Sequence, residues 1–201
     1  MGAPLALGGD LEGAEAVEVE PLVLASTSPQ RRAILEQLRI PSVVVAPDYE
    51  ELTDDPVEHA AGKARSVDGG GRVVLGVDTD VFVDGRRLGK APDAAAAGAI
   101  LELLSGRAHE VVSGLCLRGP GWEELHRVVT LVAFRPLAPA EIDRYLAAGE
   151  WEGRAGAYAI QGLGAALVER IAGDYLNVVG LPAGLLVRLF AERFPGRYGF
   201  G

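Results

Sequence analysis

Val73-Val74-Leu75-Gly76-Val77-Asp78-Thr79-Asp80-Val81-Phe82-Val83-Asp84-Gly85-Arg86-Arg87-Leu88 decides how the rest of the chain reads. Val73–Val77 is an unbroken apolar run, the pattern of a strand buried on both faces. The run ends on Asp78, and an acid at the C-terminal end of such a strand sits where open α/β sheets place their ligands. Val81–Val83, Asp84-Gly85 and Arg86–Leu88 then read as a tight hairpin, because Asp-Gly accepts the positive φ that a two-residue turn needs.

Working outward, strand and helix signals alternate. Leu22–Ala25 is a short apolar strand. Ser28-Pro29 starts a helix, with Ser28 as N-cap and Pro29 at the first helical position. Val43–Ala46 is a second strand. Asp55-Pro56 opens a helix by the same logic, reaching about Val67. Ala94–Leu104 is rich in the best helix formers. Glu110–Leu117 and Leu125–Phe134 read as long strands joined through Gly119-Pro120-Gly121. Pro139–Ala147 is a helix, a Gly-rich stretch runs from Gly149 to Gly164, Ala165–Ile171 is a strand, and Pro182–Phe194 closes as a helix. The pattern predicts an α/β fold, a single domain with a central mixed sheet and flanking helices over residues 21–201. Residues 1–20 carry five acids and no base, and are expected to form an acidic mobile tail.

Composition excludes several classes. The 201 residues carry a net charge of −9, with a pI near 4.9. Such a chain lacks the basic footprint of a nucleic-acid binder. A single Cys rules out a disulfide framework. No apolar run approaches the ~18 residues of a membrane span. No basic segment leads into an apolar core at the N-terminus, so a cytoplasmic chain is expected. Of 19 basic residues, 17 are Arg and only two, Lys63 and Lys90, are Lys. A compact ammonium suits point contact with a phosphate where a planar guanidinium does not fit.

Some apparent motifs fail. Gly85–Lys90 resembles a phosphate loop, but its glycines are one residue too close and no Ser or Thr follows Lys90. Gly162-Leu163-Gly164 has Leu167 where a dinucleotide fingerprint needs its third glycine. The three His and the Cys have no metal-ligand spacing among themselves, and His109 and Cys116 read as strand residues.

Other constellations carry chemistry. Ser26-Thr27-Ser28-Pro29-Gln30-Arg31-Arg32 joins hydroxyls, arginines and a helix N-terminus, which suits an anion. Asp48, Glu50 and Glu51 offer carboxylates to a divalent ion. Asp78 can hold a metal or take a proton from water. Gln161, among glycines, can both donate to and accept from a base edge.

Leu24-Ala25-Ser26-Thr27-Ser28-Pro29 with Arg31-Arg32, Asp78-Thr79, Leu88-Gly89-Lys90, Ser105-Gly106-Arg107-Ala108-His109-Glu110-Val111, Ala155-Gly156-Ala157-Tyr158-Ala159-Ile160-Gln161-Gly162 and Gly173-Asp174-Tyr175-Leu176-Asn177-Val178-Val179-Gly180-Leu181-Pro182 occur in an order that resembles the Maf family of nucleoside triphosphate pyrophosphatases. The resemblance implies a two-lobed α/β fold with a central cleft. It implies Mg²⁺- or Mn²⁺-dependent hydrolysis of a nucleoside triphosphate to the monophosphate and pyrophosphate, in a homodimer. It assigns Asp78 as proton acceptor, Ser26, Ser28, Arg31, Lys63 and Lys90 to the phosphates, and Glu51 with Asp78 to the metal. It assigns base choice to Gln30, Thr79 and Gln161. Thr79 and Gln161 match the subgroup acting on dTTP and UTP, whereas Gln30 stands where that subgroup usually has Arg. The family's link to septum formation supplies the alternative of a nucleotide-binding regulator without catalysis.

Overall fold

The computed structural model describes residues 19–200, so nearly all of the expected acidic tail lies outside the described residues. At the described end of that segment, Glu20 pairs with Arg197 at 2.9 Å.

Seven strands form one mixed sheet in the order β2-β1-β3-β5-β6-β7, with β4 also paired to β3. β1 (Leu22–Ala25) lies parallel between β2 (Ser42–Val45) and β3 (Val74–Val83). β5 (Ala108–Gly119), β6 (Trp122–Phe134) and β7 (Val168–Ala172) continue from β3 as an antiparallel run. β4 (Arg86–Leu88) returns from β3 through Asp84 and Gly85, both at positive φ (49° and 75°), the hairpin expected from Asp-Gly.

β3 departs from expectation in one respect. It does not end on Asp78 but runs through it to Val83. Asp is a weak strand former, yet β5 pairs with β3 without interruption from Val74 to Phe82, across both Asp78 and Asp80. The opposite edge of β3 changes partner instead. β1 pairs with Val74–Gly76 and β4 with Val81–Val83, which leaves Val77–Asp80 unpaired on that edge. Asp78 therefore sits in mid-strand, at a notch.

The same stretch divides the core. Side chains alternate across a strand. On one face of β3, Leu75 and Val77 join a cluster with Leu22, Leu24, Leu186 and Phe190, whereas Val81 and Val83 join another with Leu101, Phe134 and Tyr158. Thr79 lies between the two clusters. The first cluster is closed by α1 (Pro29–Gln37) and α6 (Ala183–Arg193), the second by α3 (Ala94–Leu104) and α4 (Pro139–Ala147). These are the two lobes.

The other face carries α2 (Pro56–Arg65), which packs Ala60 and Ala64 onto Val23, Val74 and Cys116. Its approach is too close for side chains beneath it. A Cβ on Gly76 would lie 2.1 Å from the Ala60 carbonyl oxygen, and one on Gly114 2.0 Å from that of Pro56. Sequence reading did not include α5 (Tyr175–Val179), a short helix capped by Asp174. The strand expected from Ala165 begins at Val168, after a 3₁₀ turn over Gly162–Leu167.

Candidate active site

The notch in β3 opens into a cleft of about 1080 Å³, just above the usual range for small-molecule sites, ~300–1,000 Å³. All ten residues to which the resemblance assigned a role line it: Ser26, Ser28, Gln30, Arg31, Glu51, Lys63, Asp78, Thr79, Lys90 and Gln161. Of the three carboxylates after the second strand, Glu51 alone lines the cleft.

One wall is the start of α1. Ser28 occupies the N-cap position, but its hydroxyl donates to Gln30 Oε1 (3.2 Å) and makes no cap bond. The aspartates 55, 93 and 174 do accept from the first-turn amides of α2, α3 and α5. The start of α1 thus keeps unsatisfied amides and no acid in its first turn, beside the cleft. An anion is the favoured partner for such an end. Ser26 Oγ accepts from Ser28 N (3.2 Å) and from Arg31 Nη1 (3.1 Å). Arg31 is further held by its Nε to the Gly180 carbonyl (2.9 Å) and its Nη2 to Thr79 Oγ1 (3.3 Å). Burial lowers the Arg31 pKa, opposed by the negative field of Asp78, Glu51 and Asp80. Thr79 Oγ1 also lies 2.8 Å from Ser113 Oγ, so its hydroxyl belongs to a network on the face opposite Asp78.

The floor is acidic. Asp78 projects toward α2, where Lys63 Nζ donates to Asp78 Oδ1 (2.5 Å) and to Glu51 Oε1 (2.7 Å). His59, fully buried one turn earlier, places Nδ1 3.1 Å from Asp78 Oδ2 and 3.9 Å from Glu51 Oε2. Burial would raise the Asp78 pKa, but Lys63, Arg31 and His59 outweigh it and hold the carboxyl below its ordinary value. Two residues on, burial and the charge of Asp78 push Asp80 up. Two neighbouring carboxyls are thus driven apart, as at many catalytic sites. One donor atom each from Glu51, His59 and Asp78 lies within 4.8 Å of the others. Two carboxylates and an imidazole fit a divalent ion such as Mn²⁺ or Mg²⁺.

Three contributors were given no role in the site from the sequence. His59 gave no metal-ligand spacing with the other histidines, because its partners are carboxylates brought in by β3 and the loop after β2. Its signal was its position four residues before Lys63 on one helix. Arg87, on β4, lies 2.8 Å from Asp80 Oδ2, 3.0 Å from Asp54 Oδ1 and 3.5 Å from Glu51 Oε2. Arg154 lines the cleft with its buried Nε lacking a hydrogen-bond partner among the described residues. Lys90 has no ion-pair partner among the described residues; its backbone pairs with Ala155 at the cleft rim. Gln161 is exposed at the end of the Gly-rich loop. That loop is anchored by Glu150, which accepts from Leu163 N (3.0 Å) and Gly164 N (3.2 Å), and by Tyr145 OH, which accepts from Ala159 N (2.9 Å).

A mixed α/β sheet, split at a notch that gathers an uncapped helix start, basic side chains and low-pKa carboxylates, defines a protein built to hold a multiply charged anion. The sequence family described as "Maf-like protein" matches residues 21–193, and the chain belongs to that family. Among curated relatives, the dTTP/UTP pyrophosphatase of Symbiobacterium thermophilum is 44% identical over 183 residues, covering 87% of this chain and 94% of its own. Those of Paramagnetospirillum magneticum and Anaeromyxobacter sp. are each 47% identical, covering 80% of this chain and 90% and 83% of their own.

Proposed function

We propose that this chain hydrolyses a nucleoside triphosphate, dTTP, UTP or a modified relative, to the monophosphate and pyrophosphate, and so clears unwanted nucleotides. The observation that carries the reading is the convergence of ten residues, drawn from separate blocks of sequence, on one cleft. The names of the relatives support the same substrates.

In this reading Asp78, kept ionised by Lys63 and Arg31, orients water and takes its proton. The free amides at the start of α1, with Arg31, Lys63 and Lys90, stabilise charge on the polyphosphate as it leaves, and Ser26 and Ser28 hold Arg31 and that helix start in place. Preorganised charge of this kind supplies most of the acceleration in phosphoryl transfer. Glu51 and Asp78 would hold Mg²⁺ or Mn²⁺, which supplies Lewis-acid charge and a more acidic water when bound. Gln30, Thr79 and Gln161 set the base preference.

We further propose a cytoplasmic homodimer. Three large apolar residues on one face of β6 support the pairing, with Leu125, Val129 and Leu131 between 43% and 46% exposed. No helix among the described residues is long and apolar enough to cross a membrane.

The test is a panel of standard and modified triphosphates with Mg²⁺ or Mn²⁺, scored for monophosphate and pyrophosphate. Asp78→Asn is expected to lower turnover by about 10²–10⁴-fold. No turnover of any triphosphate favours the regulator reading, and full activity in the variant overturns the role of Asp78. Gln30→Arg is expected to change the ranking of bases; an unchanged ranking removes Gln30 from the specificity set.

A further inference from the structure

We propose that His59 is a nitrogen ligand of the metal held by Glu51 and Asp78, making a mixed site that selects Mn²⁺ or Co²⁺ over Mg²⁺. The inference rests on the pyrophosphatase reading and adds to it the identity of the third ligand and the class of ion.

His59 and Lys63 are four residues apart on α2, so both reach the same point of β3. There they divide the carboxylate oxygens between them. Lys63 takes Glu51 Oε1 and Asp78 Oδ1. His59 Nδ1 faces the other two, at 3.1 Å from Asp78 Oδ2 and 3.9 Å from Glu51 Oε2. Adjacent ligands of a six-coordinate ion with bonds near 2.1 Å lie about 3 Å apart. The Asp78–His59 spacing already has that size, and Glu51, the most exposed of the three, needs to close by less than 1 Å from its 3.9 Å.

The imidazole is also oriented as a ligand. Its other nitrogen, Nε2, is 3.5 Å from Thr53 Oγ1. Ligating histidines characteristically direct their second ring N–H to such an acceptor, which fixes the tautomer. The ring is fully buried and tilted against Tyr49, with centroids 6.1 Å apart. It has no room to turn toward solvent. Its burial at the back of the carboxylates leaves the cleft side of the metal for water and phosphate. Oxygen ligands suit Mg²⁺ and Mn²⁺ alike, whereas an imidazole adds affinity for transition ions, increasing from Mn²⁺ to Co²⁺, that Mg²⁺ does not share.

The rival use of the same geometry is a hydrogen bond from Nδ1–H that holds Asp78 in place without touching metal. Pulsed electron paramagnetic resonance of the full chain loaded with Mn²⁺ separates the two. Coordination gives nitrogen modulation from a bound imidazole, and an Mn²⁺ signal without it overturns the proposal. Calorimetric titration with Mn²⁺, Co²⁺ and Mg²⁺ is run on the native chain, His59→Leu and His59→Asn, with melting curves to confirm folding. Asn retains an amide that can bond Asp78, so it should rescue a positioning role but not ligation. The expectation is a loss of Mn²⁺ and Co²⁺ affinity in both variants greater than the ~10–100-fold that removal of an outer-shell partner costs, with Mg²⁺ affinity changed about twofold at most. An unchanged ratio of Co²⁺ to Mg²⁺ affinity in either folded variant overturns the proposal, as does failure of the native chain to bind any of the ions. Turnover of the same panel of triphosphates by the native chain is measured alongside. Turnover without nitrogen modulation rejects the ligand and leaves the pyrophosphatase reading standing; absent turnover rejects that reading, while the resonance and titration data still decide the ligand.

Discussion

Lys63 illustrates why a chain that uses Arg almost everywhere keeps a lysine. Its ammonium sits between two carboxylate oxygens at 2.7 and 2.5 Å. A guanidinium is planar and wider, and in that space it would displace either Glu51 or the adjacent His59. Lys63→Arg is therefore expected to lower kcat/KM at least tenfold, about 1.4 kcal/mol of transition-state stabilisation, while the exposed Lys90 tolerates Arg with a smaller loss. Steady-state kinetics on both variants checks this; equal and full activity in the two returns the lysine bias to composition alone. His109 gives a second prediction at this scale. It is buried edge-on against Phe134 and Tyr158, with Nε2 2.8 Å from Tyr158 OH and Nδ1 lacking a hydrogen-bond partner among the described residues. Burial pushes its pKa from 6.5 down to about 4. Between those values the unfolded chain binds a proton that the folded chain refuses, so stability is complete above pH 6.5 and falls as the pH drops toward 4. The full loss from this group is about 3 kcal/mol. Urea titrations across that window should show the decline, and His109→Asn should flatten it.

At the scale of elements, the site depends on how closely α2 lies against the sheet. Gly76 is a glycine because the Ala60 carbonyl would be 2.1 Å from any Cβ there. Gly76→Ala must lift the helix, and with it His59 and Lys63, away from Asp78. The expected cost is ~1–3 kcal/mol of stability, with turnover falling further than that loss explains in the fraction that stays folded. Gly98→Ala in α3 is the control. Its Cβ would meet only the tip of Leu146, at 3.3 Å, and the gain in helix propensity offsets the crowding. Melting curves and turnover of the two variants should diverge sharply. The same packing explains what the sequence could and could not disclose. Helices α1 and α2 were legible because Pro29 and Pro56 act locally, α3 because its residues are strong helix formers, and the β3–β4 turn because Asp84-Gly85 sets it. The continuity of β3 through Asp78 was not, since it is imposed by pairing with β5, some 35 residues away in the chain. Asp78, Lys90 and Gln161 could be found through blocks of sequence that resemble a family. His59 and Arg87 stand outside those blocks, and only the seating of α2 and β4 brings them to the carboxylates.

For the whole molecule, the question is whether the two lobes are separate folding units. Their apolar clusters are distinct, and the cleft divides them. Yet β3 and β5 pass through both, paired over an unbroken register from Val74 to Phe82. Separating the lobes would mean cutting that ladder at Asp78 and exposing buried Ser113 and Asp80, so the lobes should unfold together. Each carries one tryptophan. Trp122 lies against the α6 lobe, 4.4 Å beneath the Arg193 guanidinium, and Trp151 is buried in the α3–α4 lobe with Nε1 donating to the Leu146 carbonyl at 3.2 Å. Trp151→Phe leaves a probe of the first lobe and Trp122→Phe a probe of the second. Phe134→Ala removes a fully buried ring from the second lobe only, a loss of about 3–5 kcal/mol. Added to each probe chain, it should lower both urea midpoints by the same amount, with turnover disappearing over the same range. A shift confined to the Trp151 signal would mean that the lobes fold independently and that Asp78 lies on a hinge rather than in the middle of a rigid strand.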